Sequence, residues 1–294
     1  MTEQQIPAPG AAPDTEPMPE AAPLTVTPAG PMGAPGSAAP KDRRVLRTVL
    51  RWTAALVVFA ATGASTAYGV TRMERTDLPG LATRADGRWD YPQIVRPPLA
   101  AGSPAPFADG NPAMVHYADL RKLVLPAPKG ATADPALAGD HGWVKPEVFL
   151  AEYASKDDRD SLQGELIDRG LRHVAARGWT MPDGTRTRIY LLQFETGLIA
   201  GQVQRDEFSG YDDPSHVLRG APYNKRDDSF PDAGTLGHSE LNAYAEQKPY
   251  GAEQVRQAYI NSGDVVGIVV QSRKGGAKEI PFQQTVVLQV QLLD

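Results

Sequence analysis

A chain of 294 residues with 27 prolines, 28 glycines and no cysteine is long enough to bury a sizeable core, but its prolines are too unevenly spread for two equal ones. Its formal charge of −5 argues against a nucleic-acid partner, which needs a concentrated basic face. Without cysteine there is no disulfide, no thiolate nucleophile and no cysteine to carry a lipid.

Residues 1–40 hold ten prolines, nine alanines and four glycines and no Lys or Arg. So little apolar bulk does not offset a backbone ordering cost of about 1 to 2 kcal/mol per residue, and we expect a disordered cytoplasmic tail. Residues 41–51, KDRRVLRTVLR, form a basic juxtamembrane segment with five basic residues: Lys41, Arg43, Arg44, Arg47 and Arg51. The eleven residues from Arg72 hold only two, Arg72 and Arg75. Between them, residues 52–71 carry no charge, and twenty helical residues cover about 30 Å, the thickness of a hydrocarbon core. The excess of positive charge on the N-terminal side predicts a single transmembrane helix with the N-terminus in the cytoplasm of a plasma membrane. Thr53, Thr62, Gly63, Ser65, Thr66 and Gly69 dilute its hydrophobicity, and the small-x-small pair Ser65 and Ala67 is the pattern of a cleaved signal, the alternative to an uncleaved anchor.

Past the membrane, residues 72–113 include RPPLAAGSPAPFADGNP, and proline at that density opposes helix and central strand alike. They read as a proline-rich stalk, followed by an extracytoplasmic domain over residues 114–294. Leu120, Leu123 and Leu125 in YADLRKLVLPAP are expected to pack on that domain as an extended or short helical flap. Pro146 suits the first turn of a helix, PEVFLAEYA. A second helix follows, capped by Asp157 or Asp158, striped by Leu162, Leu166 and Ile167, and ended by Gly170. LRHVAARGWTMPDGTRTRIYLLQF reads as a hairpin about Pro182-Asp183-Gly184, and Thr196 to Phe208 as a helix. QVRQAYINSGDVVGIVVQSRKGG gives a second hairpin about Asn261-Ser262-Gly263-Asp264, and IPFQQTVVLQVQLLD a terminal helix with Phe282, Val286, Val290 and Leu293 on one stripe. The expected fold is α+β: an antiparallel sheet of about four strands in two hairpins, with helices on one face.

The segments DGTRTRIYLLQF and GDVVGIVVQSRKGGAKEIPFQQTVVLQVQLL, with the Pro/Ala-rich leader, resemble uncharacterised single-pass membrane proteins of high-GC actinobacteria. More distantly, the strand pair followed by a C-terminal helix is similar to extracellular sensor domains of mycobacterial serine/threonine kinases. The resemblance implies ligand or partner sensing at the cell surface and names no ligand.

No P-loop, G-x-S-x-G elbow, dinucleotide fingerprint or EF-hand spacing occurs, and none of the five histidines pairs with another at zinc-helix spacing. No cofactor is implied. The long connection 209–241 stands out because it gathers Asp212, Asp213, His216, Asp227, Asp228 and His238. Carboxylates and imidazoles in one loop are suited to holding a cation or polar ligand, or to supplying an acid/base pair. The same Asp, Gly and Pro content equally builds the turns of a solvated insertion. The expected function is therefore a single-pass membrane-anchored protein with an extracytoplasmic binding or sensor-like domain. Its partners would be the lipid bilayer through residues 52–71 and a cell-envelope protein or ligand. The alternative is a secreted-side hydrolase or metal-binding enzyme using the 209–241 loop.

Overall fold

The computed structural model describes residues 43–72, 86–230 and 235–294. The tail expected over residues 1–40 lies outside them. The chain divides into two compact units, Met1–Leu81 and Ala82–Asp294.

In the first unit, helix α1 (Arg43–Arg72) begins inside the basic segment, nine residues before the expected start at 52. Within it, the 25 residues Val45–Gly69 are long and apolar enough to cross a membrane, and none of that stretch is buried by protein. The hydroxyls that dilute its hydrophobicity are internally satisfied. Thr53, Thr62, Ser65 and Thr66 each donate to the carbonyl four residues back, on Val49, Val58, Ala61 and Thr62, at 2.6 to 2.8 Å. A hydroxyl bonded in this way presents no orphan donor to lipid.

In the second unit the helices are α2 (Leu120–Leu123), α3 (Pro146–Leu150), α4 (Lys156–Asp168), α5 (Gly197–Val203) and α6 (Glu279–Leu293). A 3₁₀ turn spans Pro135–Leu137, and a π turn, Gln204–Phe208, continues α5. The strands are β1 (Thr132–Ala133), β2 (His173–Thr180), β3 (Arg186–Gln193), β4 (Asn224–Arg226), β5 (Thr235–Leu236), β6 (Ser239–Glu246), β7 (Gln254–Ser262) and β8 (Val265–Arg273).

The strands make one antiparallel sheet, in the order β1-β2-β3-β8-β7-β6-β4, with the two-residue β5 also paired to β6. The two expected hairpins, β2–β3 and β7–β8, form its centre and meet along β3 and β8. Four strands therefore understate the sheet: short edge strands and β6 widen it on both sides. β6 escaped notice because SELNAYAE mixes small and polar residues, with little of the β-branched bulk that signals a strand.

The helices do not share one face. Leu162 and Leu166 of α4, Ala200 and Val203 of α5, and Phe149 of α3 pack with Tyr190, Tyr259, Val266 and Ile268 on one side of the sheet. Phe282, Val286 and Val290 of α6 pack with Ile189, Leu191, Ala258 and Val269 on the other. The cause is legible in β8, VVGIVVQSR, which is apolar at both parities. A strand without alternation exposes hydrocarbon on both sides and needs cover on both.

Local signals behave as the chemistry dictates, with two shifts. Ser155, rather than Asp157 or Asp158, caps α4 by accepting from the Asp158 N–H at 3.3 Å, and the two aspartates occupy the first turn. Ile167 is 67% exposed, because it lies about 100° around the helix from Leu166. Gly170 follows α4 at φ +73°, and Gly184 closes the β2–β3 turn at φ +83°. All four residues of the expected α6 stripe are buried.

The segment expected as a stalk is described from residue 86 onward, and there it lies along α6. Gln284 brackets Trp89, accepting from its N–H at 2.7 Å and donating to its carbonyl at 2.9 Å. The Tyr91 hydroxyl meets Thr285 at 2.8 Å, and Arg96 Nε donates to the Gln291 carbonyl at 3.1 Å. Proline keeps this strap out of regular structure, so side chains of α6 satisfy its backbone.

Candidate functional site

The six loop residues do not converge. His216 lies against α4 and the π turn, 3.5 Å from Asp158 and 3.9 Å from Glu207, with its ring edge-on to Tyr153. Asp227 accepts from Arg256 at 2.6 Å. Asp213 accepts from Lys225 at 2.7 Å. Asp212 and Asp228 are exposed, and the Asp212 carbonyl accepts from the Arg226 N–H at 2.8 Å. The His238 ring stacks on Phe107 at 4.7 Å, and its backbone N–H donates to Asp294 at 3.2 Å. Each of the paired groups joins a different part of the fold, and no acid/base pair forms between His216 and His238. Among the described residues no set of three His, Cys, Asp or Glu is placed to hold a metal. The loop is also less open than expected, since β4, β5 and the start of β6 fall within residues 209–241.

A different place gathers polar side chains. On the α3 side of the sheet an open cleft of about 900 Å³, within the usual size of a ligand site, is floored by β3, β7 and β8. Period-two alternation along RTRIY puts Arg186, Arg188 and Tyr190 on this floor. Ser272 lies directly opposite Arg186 on β8, and Val255 lies opposite Ser272 on β7. The walls come from Asp134 and Leu137 at the 3₁₀ turn, Glu147, Val148 and Glu152 around α3, Arg219–Gly220, and Ala252–Glu253. Gly178 lets the 3₁₀ turn lie close on β2, since a Cβ there would come within 2.6 Å of Leu137 Cδ1.

Several of the cleft's polar groups already hold internal hydrogen bonds, though among the described residues lining it only Glu152 and Arg188 form an ion pair. Glu152 Oε1 accepts from both Arg188 Nε and the Tyr190 hydroxyl, each at 2.6 Å. Burial first, and the Glu152 carboxylate second, push the Tyr190 hydroxyl well above its ordinary range, so it remains a donor and not a base. Asp134 caps the 3₁₀ turn through the Ala136 N–H at 3.0 Å, and Glu147 accepts from Gln163 at 3.4 Å. Arg219 Nε donates to the Tyr153 carbonyl at 3.3 Å. Three groups are left open. Ser272, 2% exposed, has a buried hydroxyl with no partner. The Arg186 guanidinium and the Glu253 carboxylate have no ion-pair or hydrogen-bond partner among the described residues. The Ser272 hydroxyl and the Arg186 guanidinium are cross-strand neighbours, both of a kind that pairs with anionic oxygen. The alternation T-R-T-R-I-Y was the signal: its polar heads fall on one face of a strand, where a simple exposed edge would otherwise explain them.

A second polar node is closed. Asp264, at the β7–β8 turn, accepts from the His116 backbone N–H at 2.9 Å and from Gln193 Nε2 at 3.0 Å. Its Oδ1 is also 2.6 Å from His116 Nδ1, while His116 Nε2 meets the Leu293 carbonyl at 2.9 Å. Both ring nitrogens thus face oxygen, an arrangement fully satisfied only when each carries hydrogen. The node ties the end of the strap, the central hairpin and the last turn of α6 into one buried cluster. Gly263 is required beside it: at φ +52°, a Cβ would come within 2.4 Å of the Met114 carbonyl.

Searched against protein-family models and against curated proteins, the chain matches none.

Proposed function

We propose that this chain is a single-pass protein of the plasma membrane, its N-terminus cytoplasmic and its α+β unit displayed outside as a binding module of the sensor type. The cleft between α3 and the sheet is then its ligand site. The observation that carries this reading is the open cleft, with an unpaired guanidinium and an unpartnered buried hydroxyl on a rigid sheet floor. Support for the anchor comes from the uncharged length of α1 and the excess of basic residues before it. A hydrolase built on the 209–241 loop draws no support from the geometry, because His216 and His238 belong to separate contacts.

The test is protease shaving of intact cells expressing the full chain, with mass-spectrometric mapping of the fragments that survive. The proposal expects loss of the C-terminal unit and survival of a fragment containing residues 1–72. A C-terminal unit degraded only after lysis would reverse the orientation. A mature protein beginning near Tyr68 and recovered from the medium would replace the anchor with a cleaved signal.

A further inference from the structure

Within the cleft, the ionisable lining comprises Asp134, Glu147, Glu152 and Glu253 against Arg186, Arg188 and Arg219. A purely anionic ligand would meet these carboxylates, and a purely cationic one the guanidiniums. Once the internally bonded groups are set aside, the open set is one guanidinium (Arg186), one hydroxyl (Ser272) and one carboxylate (Glu253). Register fixes their order. Arg186 and Ser272 face each other across β3 and β8, Val255 continues the row on β7, and Glu253 lies two residues before Val255. Adjacent strands are about 4.8 Å apart and residues about 3.4 Å apart along a strand, so two strand spacings and a two-residue offset put the positive and negative ends roughly 12 Å apart at the backbone. A peptide of two or three residues, at about 3.3 to 3.6 Å each, matches that separation once the Arg186 and Glu253 side chains reach inward. Leu137, Val148 and Val255 supply apolar surface for its side chains.

We infer that the cleft takes a short zwitterionic peptide with free termini, its carboxylate on Arg186 and Ser272 and its ammonium on Glu253. This inference rests on the reading of the cleft as the ligand site. Charge-assisted hydrogen bonds at both ends make recognition depend on both termini being unblocked, so the site reads ends rather than sequence.

The experiment uses the full chain in detergent micelles. Calorimetric titration is done with a pool of dipeptides and tripeptides of Gly, Ala, Leu and Ser, and in parallel with the same pool N-acetylated or C-amidated. The expected result is binding of the free pool that weakens about tenfold or more when either end is blocked. Arg186→Gln should remove the penalty for amidation and Glu253→Gln the penalty for acetylation, each with a melting temperature like that of the unsubstituted chain. Equal binding of free and blocked pools, or no binding up to about 10 mM, overturns the ligand class and leaves the cleft as a site for other chemistry. Ala151→Trp, at an exposed position on the cleft wall, separates the two claims. Terminus-dependent binding that survives this plug places the peptide elsewhere and overturns the cleft as the ligand site.

Discussion

Asp183 illustrates how one turn residue does two jobs. It supplies the Pro182-Asp183-Gly184 turn chemistry and accepts from the Thr185 N–H at 3.0 Å, while Lys278 Nζ lies 2.9 Å from its other oxygen. Burial pushes its carboxyl upward, but the hydrogen bonds from Thr185 and Lys278 outweigh that and hold it at about 2. Because the folded value is depressed, the stabilisation is present above the ordinary carboxyl range and is lost as pH falls through about 2. Asp183→Asn is therefore expected to cost about 1 kcal/mol at neutral pH, with the gap from the unsubstituted chain closing between about pH 4 and pH 2. Urea unfolding across that range measures it; a gap constant with pH would assign the stabilisation to the backbone turn instead. Turn residues such as Asp183, Gly184 and Gly170 were legible because their chemistry acts within a few positions of the chain. Arg186, Ser272 and His116 were not, because what makes each notable is a group brought next to it, or withheld from it, by another strand.

At the level of elements, both the strap and the 120–125 flap that follows it are tied to α6 by glutamines. Gln289, fully buried, accepts from the Leu125 N–H at 2.9 Å and donates to the Leu123 carbonyl at 2.8 Å. Removing that amide leaves a buried donor and a buried acceptor unpaired. Gln289→Ala is thus expected to destabilise the unit by about 2 to 4 kcal/mol in denaturant unfolding and to speed hydrogen exchange at the Leu125 amide. An unchanged exchange rate would show that water takes over the bonds and that the flap is held by Leu120, Leu123 and Leu125 alone. The hairpins and terminal helix were readable from period and turn residues, since β2–β3, β7–β8 and α6 carry strong local patterns. The contact of the strap with α6 was not legible in the sequence for a physical reason. Proline content reports what a segment cannot form and is silent about which surface it lies on. β4 and β5, two or three residues each, are too short to carry any period and exist only because β6 offers them an edge.

For the molecule as a whole, α1 is, among the described residues, the helix long and apolar enough to cross a membrane. A charge at the centre of a membrane helix costs about 2.5 to 3.5 kcal/mol on insertion, so Val58→Arg is expected to shift the chain from the carbonate-resistant membrane fraction toward the soluble or degraded pool. Retention in the membrane fraction would point to attachment through another part of the chain. Sequence alone determined the apolar span, its basic flank, the acidic balance and the two central hairpins, because membrane partitioning, net charge and nearest-neighbour turns depend on composition and on residues close along the chain. Only the tertiary structure decided that helices cover both faces and that the six candidate loop residues disperse. It alone brought Arg186, Ser272 and Glu253 around one cleft and closed His116 and Asp264 into a buried pair. Those outcomes rest on contacts between residues tens to well over a hundred positions apart, set by strand register and by burial of both sides of the sheet, which no local pattern encodes.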